Sequence, residues 1–465
     1  MANTKIVQPA IQPAAKRIKN FNEVAMGFSK AQAVSECQRC PQCSDPECVK
    51  ACPLGINIPE FIRLIREGDF SDALQKIRES NSLAGICGRV CSAPCEVACI
   101  LNREKNPQPI AIRALERSAF DFGNIKFQEI FNAQATNKTG KKVAVIGSGA
   151  AGLMAGANLL EDGHDVTIFE ALQKAGGFLQ YGIPEFRLPK KVLDTELEYV
   201  SSLGVEIRFN MMMGQAETMS ELFDNGYDAV LLATGLCFGP GAELPGYDAR
   251  GVLTSQEFLF RINFLSAHLH PKYATTLPAG KRVVIIGSGY DALDCARLAL
   301  RLGKKVTLLH PSTEDDVSAV LSDRLQAQEE GMQLEVLTKP LEVIKEGKGA
   351  VKGVRCVRLD FADSNGQWKL MPVKDSVFTV DADSVIVCGQ YTANTAVIAL
   401  TPGLTVQKQN FLCAKKERYA TSLKGVFAAG GLARGPVSLI ETLSQGKAAA
   451  DEIDRYLQEL PKGKI

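Results

Sequence analysis

One motif constrains the fold of this chain more than any other feature: a strand that runs directly into a glycine-rich turn and a helix, and it occurs twice. The two copies read KVAVIGSGAAG at residues 142–152 and RVVIIGSGYDA at residues 282–292. Glycines in such a turn let the backbone approach a dinucleotide pyrophosphate at the helix N-terminus. The candidate cofactor contacts are Gly147, Gly149 and Gly152 in the first copy and Gly287, Gly289 and Ala292 in the second. The repeat predicts an α/β protein with two Rossmann-like units in succession.

The first copy has the more complete dinucleotide signature, because an acidic residue follows its second predicted strand. Glu170 lies 23 positions after Gly147, where a carboxylate can accept hydrogen bonds from an adenosine ribose. The corresponding strand of the second copy ends at His310, without an acid. We predict that the first unit binds FAD and the second a nicotinamide dinucleotide, since a lone FAD unit would not require a second fold of this type. A second unit kept only for packing is the alternative.

Later strands that end in glycine predict how the two units are connected. Such strands end at Gly235 and Gly389, and a third ends at Gly430 before a predicted helix from Pro436 to Leu457. These three glycines are further candidate cofactor contacts. We interpret the tail as completing the first unit, so that the second unit is an insertion. The predicted FAD-binding domain therefore comprises residues 139–270 and 390–465, and the predicted NAD(P)H-binding domain comprises residues 271–389.

A dense group of cysteines marks the remaining domain, predicted at residues 1–138. Nine of the 14 cysteines lie in it, with the spacing Cys-x2-Cys-x4-Cys-x3-Cys-Pro from Cys40 to Pro53 and three further x3 spacings from Cys87 to Cys99. Short spacings that end in Cys-Pro are typical of iron–sulfur proteins, in which the last cysteine of a run commonly binds the other cluster. Structural zinc is the competing interpretation, but zinc has no redox chemistry to offer a flavin. Between the two runs, the apolar spacing of residues 58–77 predicts a pair of helices.

Composition excludes several other classes of protein. The 53 Lys and Arg against 52 Asp and Glu leave a net charge of +1, which supplies no field to attract nucleic acid. No apolar run approaches the ~20 residues that cross a bilayer, and the first residues lack the apolar centre of a signal peptide. We therefore expect a cytoplasmic protein. No Ser/His/Asp set or paired acid is evident, so we expect no catalytic side chain beyond those that bind cofactors.

Taken together, these motifs resemble a known family. The cysteine block, GSGAAG, YGIPEFRLPK at residues 181–190 and GSGYDALDCARLALRLG at residues 287–303 are similar to the small (beta) subunit of glutamate synthase. They are similarly close to the large subunit of NADH-dependent ferredoxin:NADP oxidoreductase and the N-terminal half of dihydropyrimidine dehydrogenase. The resemblance covers essentially the whole chain. It implies an N-terminal helical domain with two 4Fe-4S clusters, then an FAD-binding domain with an inserted NAD(P)H-binding domain.

The resemblance also implies ligands, position by position. It assigns one cluster to Cys40, Cys43, Cys48 and Cys99, and the other to Cys52, Cys91, Cys95 and Glu116. Cys37 and Cys87 are left without a role. The predicted cofactor contacts further include Gly177, and also Arg187 in the stretch 182–190 that runs beside the flavin in this family.

Three positions depart from the family pattern. Gly431 stands where the family usually has an acid that meets the flavin ribityl chain, and Tyr290 stands where it favours asparagine. NADPH-using relatives have paired arginines where this chain has His310 and Pro311. Because arginine clamps a 2′-phosphate and histidine does not, we expect NADH to be preferred.

The expected function is electron transfer by one subunit of a larger assembly. NAD(P)H would reduce FAD, and electrons would pass through two clusters to a partner subunit or a ferredoxin-type acceptor, since no further domain remains for an organic substrate. The alternative is a relay or scaffold subunit whose inserted domain binds no nucleotide. A disulfide reductase is disfavoured, because Cys295, Cys356 and Cys388 are isolated from one another in the sequence and form no CxxC.

Overall fold

The computed structural model describes residues 6–103, 108–124, 138–238, 244–265, 280–317, 321–364, 367–389, 391–406, 411–412 and 418–460. These residues form a helical N-terminal unit and two parallel sheets, each covered by helices. The predicted fold class is therefore confirmed.

The N-terminal unit is built from short helices around the cysteines. Its helices are α1 (Ala14–Arg17), α2 (Lys30–Cys37), α3 (Glu47–Ala51), α4 (Ile58–Glu67), α5 (Phe70–Arg78), α6 (Ala84–Val90), α7 (Pro94–Val97) and α8 (Ile112–Phe122). A small ribbon of β1 (Ala10–Ile11) and β2 (Ala25–Gly27) precedes most of them. The predicted helical pair is α4 and α5, which Gly68 separates in a left-handed conformation that favours glycine. Their apolar faces join the core that also contains the cysteines.

The first sheet has five parallel strands in the order β17-β6-β3-β4-β5. These are β3 (Lys142–Ile146), β4 (Asp165–Phe169), β5 (Glu206–Arg208), β6 (Ala229–Leu232) and β17 (Val426–Ala428). The helices of this unit are α9 (Ala150–Glu161), α10 (Phe178–Tyr181), α11 (Lys190–Ser202), α12 (Met219–Asp224), α16 (Thr395–Ala399), α17 (Gly431–Arg434) and α18 (Leu439–Glu459). Because β17 pairs with β6, the tail does return to complete the first unit.

The second sheet also has five parallel strands, in the order β11-β10-β9-β15-β8. These are β8 (Val252–Thr254), β9 (Arg282–Ile286), β10 (Lys305–Leu309), β11 (Gln333–Glu335) and β15 (Ser384–Val387). Its helices are α13 (Ser255–Phe264), α14 (Tyr290–Arg301) and α15 (Leu321–Glu329). Since β8 pairs with β15, the inserted unit begins before the predicted boundary at residue 271. A strand of three residues carries too little periodicity to be assigned to a sheet from sequence.

Two further antiparallel elements complete the insertion. A ribbon of β7 (Leu236–Phe238) and β16 (Tyr391–Ala393) pairs the segment that leaves the first unit with the one that returns to it. A three-stranded sheet of β12 (Thr338–Glu346), β13 (Ala350–Ser364) and β14 (Gln367–Asp381) extends from the second unit. The ribbon thus pairs the two chain segments that connect the inserted unit to the first unit.

A buried group of charges joins the three units. The Glu330 carboxylate accepts hydrogen bonds from Arg17 of the N-terminal unit and from Arg297 and Arg301 of α14, each at 2.7 Å. Phe186, from the loop after α10 in the first nucleotide unit, lies 5.0 Å from the Arg297 guanidinium and 4.0 Å from that of Arg301. A fully buried carboxylate is favourable only with such compensation. This charge cluster therefore sets how the units are placed against one another.

We expect Glu330→Gln to lower the free energy of unfolding by about 3–5 kcal/mol, because it leaves buried guanidinium groups without a counter-charge. Burial alone would raise the pKa of Glu330, but Arg297 and Arg301 outweigh it and lower the pKa from 4.5 to about 2. The carboxylate thus stabilises the fold above pH 4.5 and loses this contribution as the pH falls towards 2. Chemical denaturation at several pH values measures both effects.

The matched control is Glu329→Gln, whose side chain is 59% exposed although it also pairs with Arg17. Exposed pairs contribute about 0–1 kcal/mol, so this variant should stay close to the wild type. Equal losses in the two variants would contradict the assignment.

Candidate functional site

The first glycine turn has the close backbone approach that a pyrophosphate site requires. Gly147 follows β3 with φ of +104°, and a Cβ on Gly152 would lie 2.0 Å from the Gly147 carbonyl oxygen. Any side chain at residue 152 would therefore push α9 away from the turn. A Cβ on Gly149, by contrast, would meet no described atom within 4 Å. That open side lies at the N-terminus of α9, where backbone N–H groups favour an anion.

Glu170 lies beside this turn, as its position after β4 predicts. Its carboxylate accepts hydrogen bonds from the Ser148 backbone N–H at 3.1 Å, from the Ser148 hydroxyl, and from the Leu172 N–H at 2.8 Å. An ionised carboxylate has about four acceptor positions, so about one remains for a ligand hydroxyl. Ser148 also accepts from the Gly176 N–H at 3.1 Å and thereby orders the turn. Its role was missed, since a serine between two glycines gives no specific signal.

Three other predicted glycines surround the same region. A Cβ on Gly177 would lie 3.0 Å from the Gly149 Cα, and a Cβ on Gly430 would lie 3.2 Å from the Ala151 Cβ. Gly235 follows β6 and faces open space. The structure thus brings Gly177 and Gly430 to the start of α9 from distant parts of the chain.

The glycine that replaces the family's acid has a steric explanation. A Cβ on Gly431 would lie 2.5 Å from Cγ of Leu236, in the ribbon strand β7. Leu236 therefore occupies the space that a larger residue would need. Gly431 and Leu236 form a matched pair, which the sequence alone could not show.

The second glycine turn is tightly packed and organised by an acid. A Cβ on Gly287, with φ of +146°, would lie 2.7 Å from the Cys388 Cβ. Asp291, inside the turn, accepts hydrogen bonds from the Ser255 hydroxyl and the Tyr391 hydroxyl, both at 2.7 Å, and from the Gly389 N–H at 3.3 Å. Gly289 caps α14, and Ala292 is buried within that helix. The predicted contacts Gly287, Gly289, Ala292 and Gly389 therefore share one end of the sheet.

Cys295 and Cys388 are isolated in the sequence but close enough in the structure for each thiol to affect the pKa of the other, and the Cys295 thiol donates to the Ser255 carbonyl at 3.9 Å. Burial raises the pKa of both thiols, and both are buried inside the second unit. The prediction that these cysteines form no CxxC stands, and the two lie near each other because α14 and the end of β15 pack together.

His310 lies at the end of β10, where the adenosine ribose of a bound dinucleotide is recognised in such folds. Its side chain is buried, and neither ring nitrogen has a hydrogen-bond partner among the described residues. Burial lowers the pKa of His310, so the ring is neutral at neutral pH. A neutral imidazole offers one donor and one acceptor to a ligand.

Arg187 connects the two nucleotide units. Its guanidinium donates to Asp294 of α14 at 2.7 Å and lies 4.0 Å from Asp323 of α15. Arg187, a predicted cofactor contact, is therefore hydrogen-bonded to helix α14 of the inserted unit. Lys190, nearby, donates to the backbone carbonyls of Leu179 at 2.9 Å and Ile183 at 2.7 Å, and burial lowers its pKa to about 8. Sequence reasoning gave Lys190 no role.

The predicted cluster ligands fall into two spatial groups. Burial is the main reason that the pKa of Cys48 rises to about 11, and the thiols of Cys40, Cys99 and Cys43 add to it. Burial is also the main cause of the raised pKa of Cys95, and the nearby Cys91, Glu116 and Cys52 raise it further through charge repulsion. We call these sets the outer group (Cys40, Cys43, Cys48, Cys99) and the inner group (Cys52, Cys91, Cys95, Glu116).

Among the described residues, no group of three or more His, Cys, Asp or Glu side chains is arranged so that it could hold a single metal ion. The short cysteine spacings that end in Cys-Pro are typical of iron–sulfur proteins, so the two groups are candidate cluster ligands.

The two groups differ in burial and in their neighbours. Every member of the inner group is buried, whereas Cys40, Cys43 and Cys48 of the outer group are half-exposed. The inner group adjoins the first nucleotide unit, because the hydroxyl of Ser444 in α18 donates to the carbonyl of Pro53 at 2.9 Å. Burial raises the pKa of Glu116 well above its ordinary value, and Asn81 donates to this carboxyl at 3.1 Å.

The two cysteines without an assigned role lie at the margins of these groups. Cys37 is close enough to Cys40 for the two thiols to interact electrostatically. Cys87 is close enough to Cys91 and Glu116 for these groups to raise the pKa of its thiol. Both are fully buried.

Comparison with known proteins places these features in context. Residues 17–126 match the family model described as dihydropyrimidine dehydrogenase domain II, 4Fe-4S cluster. Residues 141–450 match the model of the pyridine nucleotide-disulphide oxidoreductases. Among solved structures, FprA of Mycobacterium tuberculosis in complex with NADPH has a TM-score of 0.56 at 20% identity, covering 69% of this chain and 85% of that chain. That likeness shows the shared fold.

No described helix is long and apolar enough to span a membrane.

Relatives match over nearly the whole chain. The small chain of glutamate synthase (NADPH) from Escherichia coli K12 is 30% identical, over 97% of this chain and 97% of that protein. The beta subunit of the NADP(+)-dependent formate dehydrogenase of Moorella thermoacetica is 34% identical over 96% of this chain. This chain spans 64% of that relative's length. The NADPH-Fe(3+) oxidoreductase subunit beta of Geobacter sulfurreducens is 32% identical, over 89% of this chain and 64% of that protein.

The Gly431 and Leu236 pair is open to a direct test. We expect Gly431→Asp to lower the thermal unfolding temperature, because the new side chain collides with Leu236. The double variant Gly431→Asp, Leu236→Ala should recover most of that loss, since it makes room for the carboxylate. Differential scanning fluorimetry of both variants and of Leu236→Ala alone completes the cycle. Strictly additive effects would show that the two sites are independent.

Proposed function

Because this chain belongs to the pyridine nucleotide-disulphide oxidoreductases, in the branch with an N-terminal 4Fe-4S domain that includes the glutamate synthase small chain, we propose that it is an electron-entry subunit. It takes electrons from NADH, holds FAD in the first nucleotide unit and two 4Fe-4S clusters in the N-terminal unit, and delivers electrons to a partner. The observation that carries the proposal is the order of the ligand groups, with the inner group buried beside the first nucleotide unit and three of the four outer-group cysteines partly exposed.

The residues of the first unit fit a bound flavin dinucleotide. The open side of Gly149 and the N-terminus of α9 would receive the pyrophosphate, while Glu170 keeps an acceptor for a ribose hydroxyl. When bound, FAD supplies the conversion between hydride transfer and single-electron transfer. Ser148 holds the Glu170 carboxylate in place, so the turn is preformed.

In the second unit, the residues around the glycine turn would bind the nicotinamide dinucleotide. Asp291 holds Gly389 and Tyr391 against the start of α14, which keeps the turn and the ribbon strand β16 together. Arg187 binds Asp294 across the boundary between the units and so positions α14 relative to the loop beside the first unit. These contacts support binding of the two dinucleotides in a constant relative orientation.

The inner and outer groups would hold the two clusters. The buried inner group suits a centre that exchanges electrons within the protein, and the half-exposed outer group suits one that exchanges them with another polypeptide. Similarity to proteins named as subunits of glutamate synthase, formate dehydrogenase and an Fe(3+) oxidoreductase supports such a partner. The partner surface is therefore proposed to lie on the N-terminal unit.

The cluster assignment predicts different effects for two neighbouring cysteines. Cys43→Ser should remove about half of the iron and acid-labile sulfide from an expected total of about eight each per chain, because it removes an outer-group ligand. Cys37→Ser, the matched control, should change neither. Iron and sulfide analysis with electron paramagnetic resonance of anaerobically purified protein measures this. Zinc without sulfide in the wild type would contradict the proposal.

The proposed place of this chain in an assembly predicts incomplete activity by itself. The purified chain should oxidise NADH with artificial dyes, but it should show negligible turnover with glutamine and 2-oxoglutarate, because no described unit remains to bind them. NADH should also bleach the bound flavin, which distinguishes the proposal from an inert scaffold. Crosslinks to the native partner should map to the N-terminal unit. Crosslinks confined to residues 283–380, or full turnover by the isolated chain, would overturn it.

A further inference from the structure

We propose that Asp316, acting with His310, makes the second unit selective for a nicotinamide dinucleotide that lacks a 2′-phosphate. This inference rests on the proposed function and concerns which nucleotide the same site accepts. The relatives named above are described with NADP(+) or NADPH, so the inference separates this chain from them.

His310 is the first observation that points to a ligand. It ends β10, the strand next to β9 and its glycine turn, and its side chain is only 6% exposed. Neither ring nitrogen has a partner among the described residues. An unpaired buried polar group is unfavourable, and a ligand that pairs with it removes that cost. A ribose with free 2′ and 3′ hydroxyls can both donate and accept, as a neutral imidazole requires.

Asp316 is the second observation, and it provides the acid that the end of β10 lacks. The loop after β10 turns back at a 3-10 helix, Glu314–Asp316, so that Asp316 lies within electrostatic range of His310. The Ser312 hydroxyl donates to Asp316, and Thr313 donates to it through its hydroxyl at 2.8 Å and its N–H at 3.2 Å. These hydrogen bonds lower the pKa of Asp316, which is therefore ionised at neutral pH.

The same hydrogen bonds remove two groups that could otherwise bind a phosphate. The hydroxyls of Ser312 and Thr313 are committed as donors to Asp316. A 2′-phosphate has only acceptor oxygens when ionised and carries about −1.5 to −2 charges, so it would be repelled by the Asp316 carboxylate and would find these two hydroxyls already engaged.

The positive charge of Arg324 does not offset the negative charge of Asp316. Arg324 of α15 pairs with Glu314 at 3.1 Å, lies 3.8 Å from Asp315, and donates to the Glu314 carbonyl. Its charge is thus balanced by the acids of the same turn. The loop presents a net negative face to the ribose, which favours a hydroxyl over a phosphate.

The test compares nucleotide selectivity in the flavin-loaded protein. Stopped-flow flavin reduction with NADH and with NADPH should be faster with NADH in the wild type. Asp316→Asn keeps the shape of the side chain and removes its charge, so it should shift the rate ratio towards NADPH by about tenfold. Asp381→Asn, at a side chain that is 70% exposed and pairs with Arg282 at the opposite end of the sheet, is the matched control and should leave the ratio unchanged.

Thr313→Ala tests whether loop order alone explains the effect, because it loosens the loop and keeps the charge. It should affect both nucleotides equally. Calorimetric binding of 5′-AMP and of 2′,5′-ADP to each variant gives a readout that does not depend on flavin chemistry, and Asp316→Asn should strengthen binding of 2′,5′-ADP only.

An unchanged ratio in Asp316→Asn, or an equal shift in Asp381→Asn or Thr313→Ala, would overturn this inference. So would faster reduction of the wild type by NADPH. Failure of both nucleotides to reduce the flavin would instead contradict the proposed function, provided that 5′-AMP still binds. The two failures are therefore distinguishable.

Discussion

The relative placement of the three units depends on one buried carboxylate. Glu330 accepts hydrogen bonds from arginines of the N-terminal unit and of α14, and two of these arginines also pack on Phe186 from the first nucleotide unit. Burying a charge is unfavourable unless each of its partners is in position. The cluster therefore forms only when all three units adopt one arrangement, which makes it a specific constraint as well as a source of stability.

The N-terminal segment connects this charge cluster to the helices that carry the cysteine groups. Glu23 of this segment binds Arg89 of α6 at 2.9 Å and Arg117 of α8 at 2.8 Å, and the Val24 N–H donates to the Phe186 carbonyl at 2.9 Å. The segment thus holds α6 and α8, which flank the inner group, while Arg17 holds the second nucleotide unit. A domain arrangement set in this way keeps the distance between the two glycine turns and the inner and outer groups constant.

Two departures from the family pattern lie next to residues that are distant in the sequence. Gly431 lacks the family's acid, and the side chain of Leu236 fills the space. The end of β10 lacks an acid, and Asp316 approaches His310 from a turn further along the chain. In both cases the meaning of a substitution depends on a residue that is distant in sequence. The effect of a substitution at either position therefore depends on both residues of the pair.

The sequence by itself determined most elements and their local chemistry: strands β3, β4, β6 and β17 of the first sheet and β9, β10 and β15 of the second, the glycine turns, the helical pair α4 and α5, and the return of the tail. These follow from periodicity, glycine position and cysteine spacing, which act over a few residues. Only the tertiary structure decided the position of β8 in the second sheet, the contact of Cys295 with Cys388, the bonding of Arg187 to Asp294 and the position of Asp316. The physical reason is that side-chain contacts between remote segments depend on how whole elements pack, and no local pattern encodes that packing.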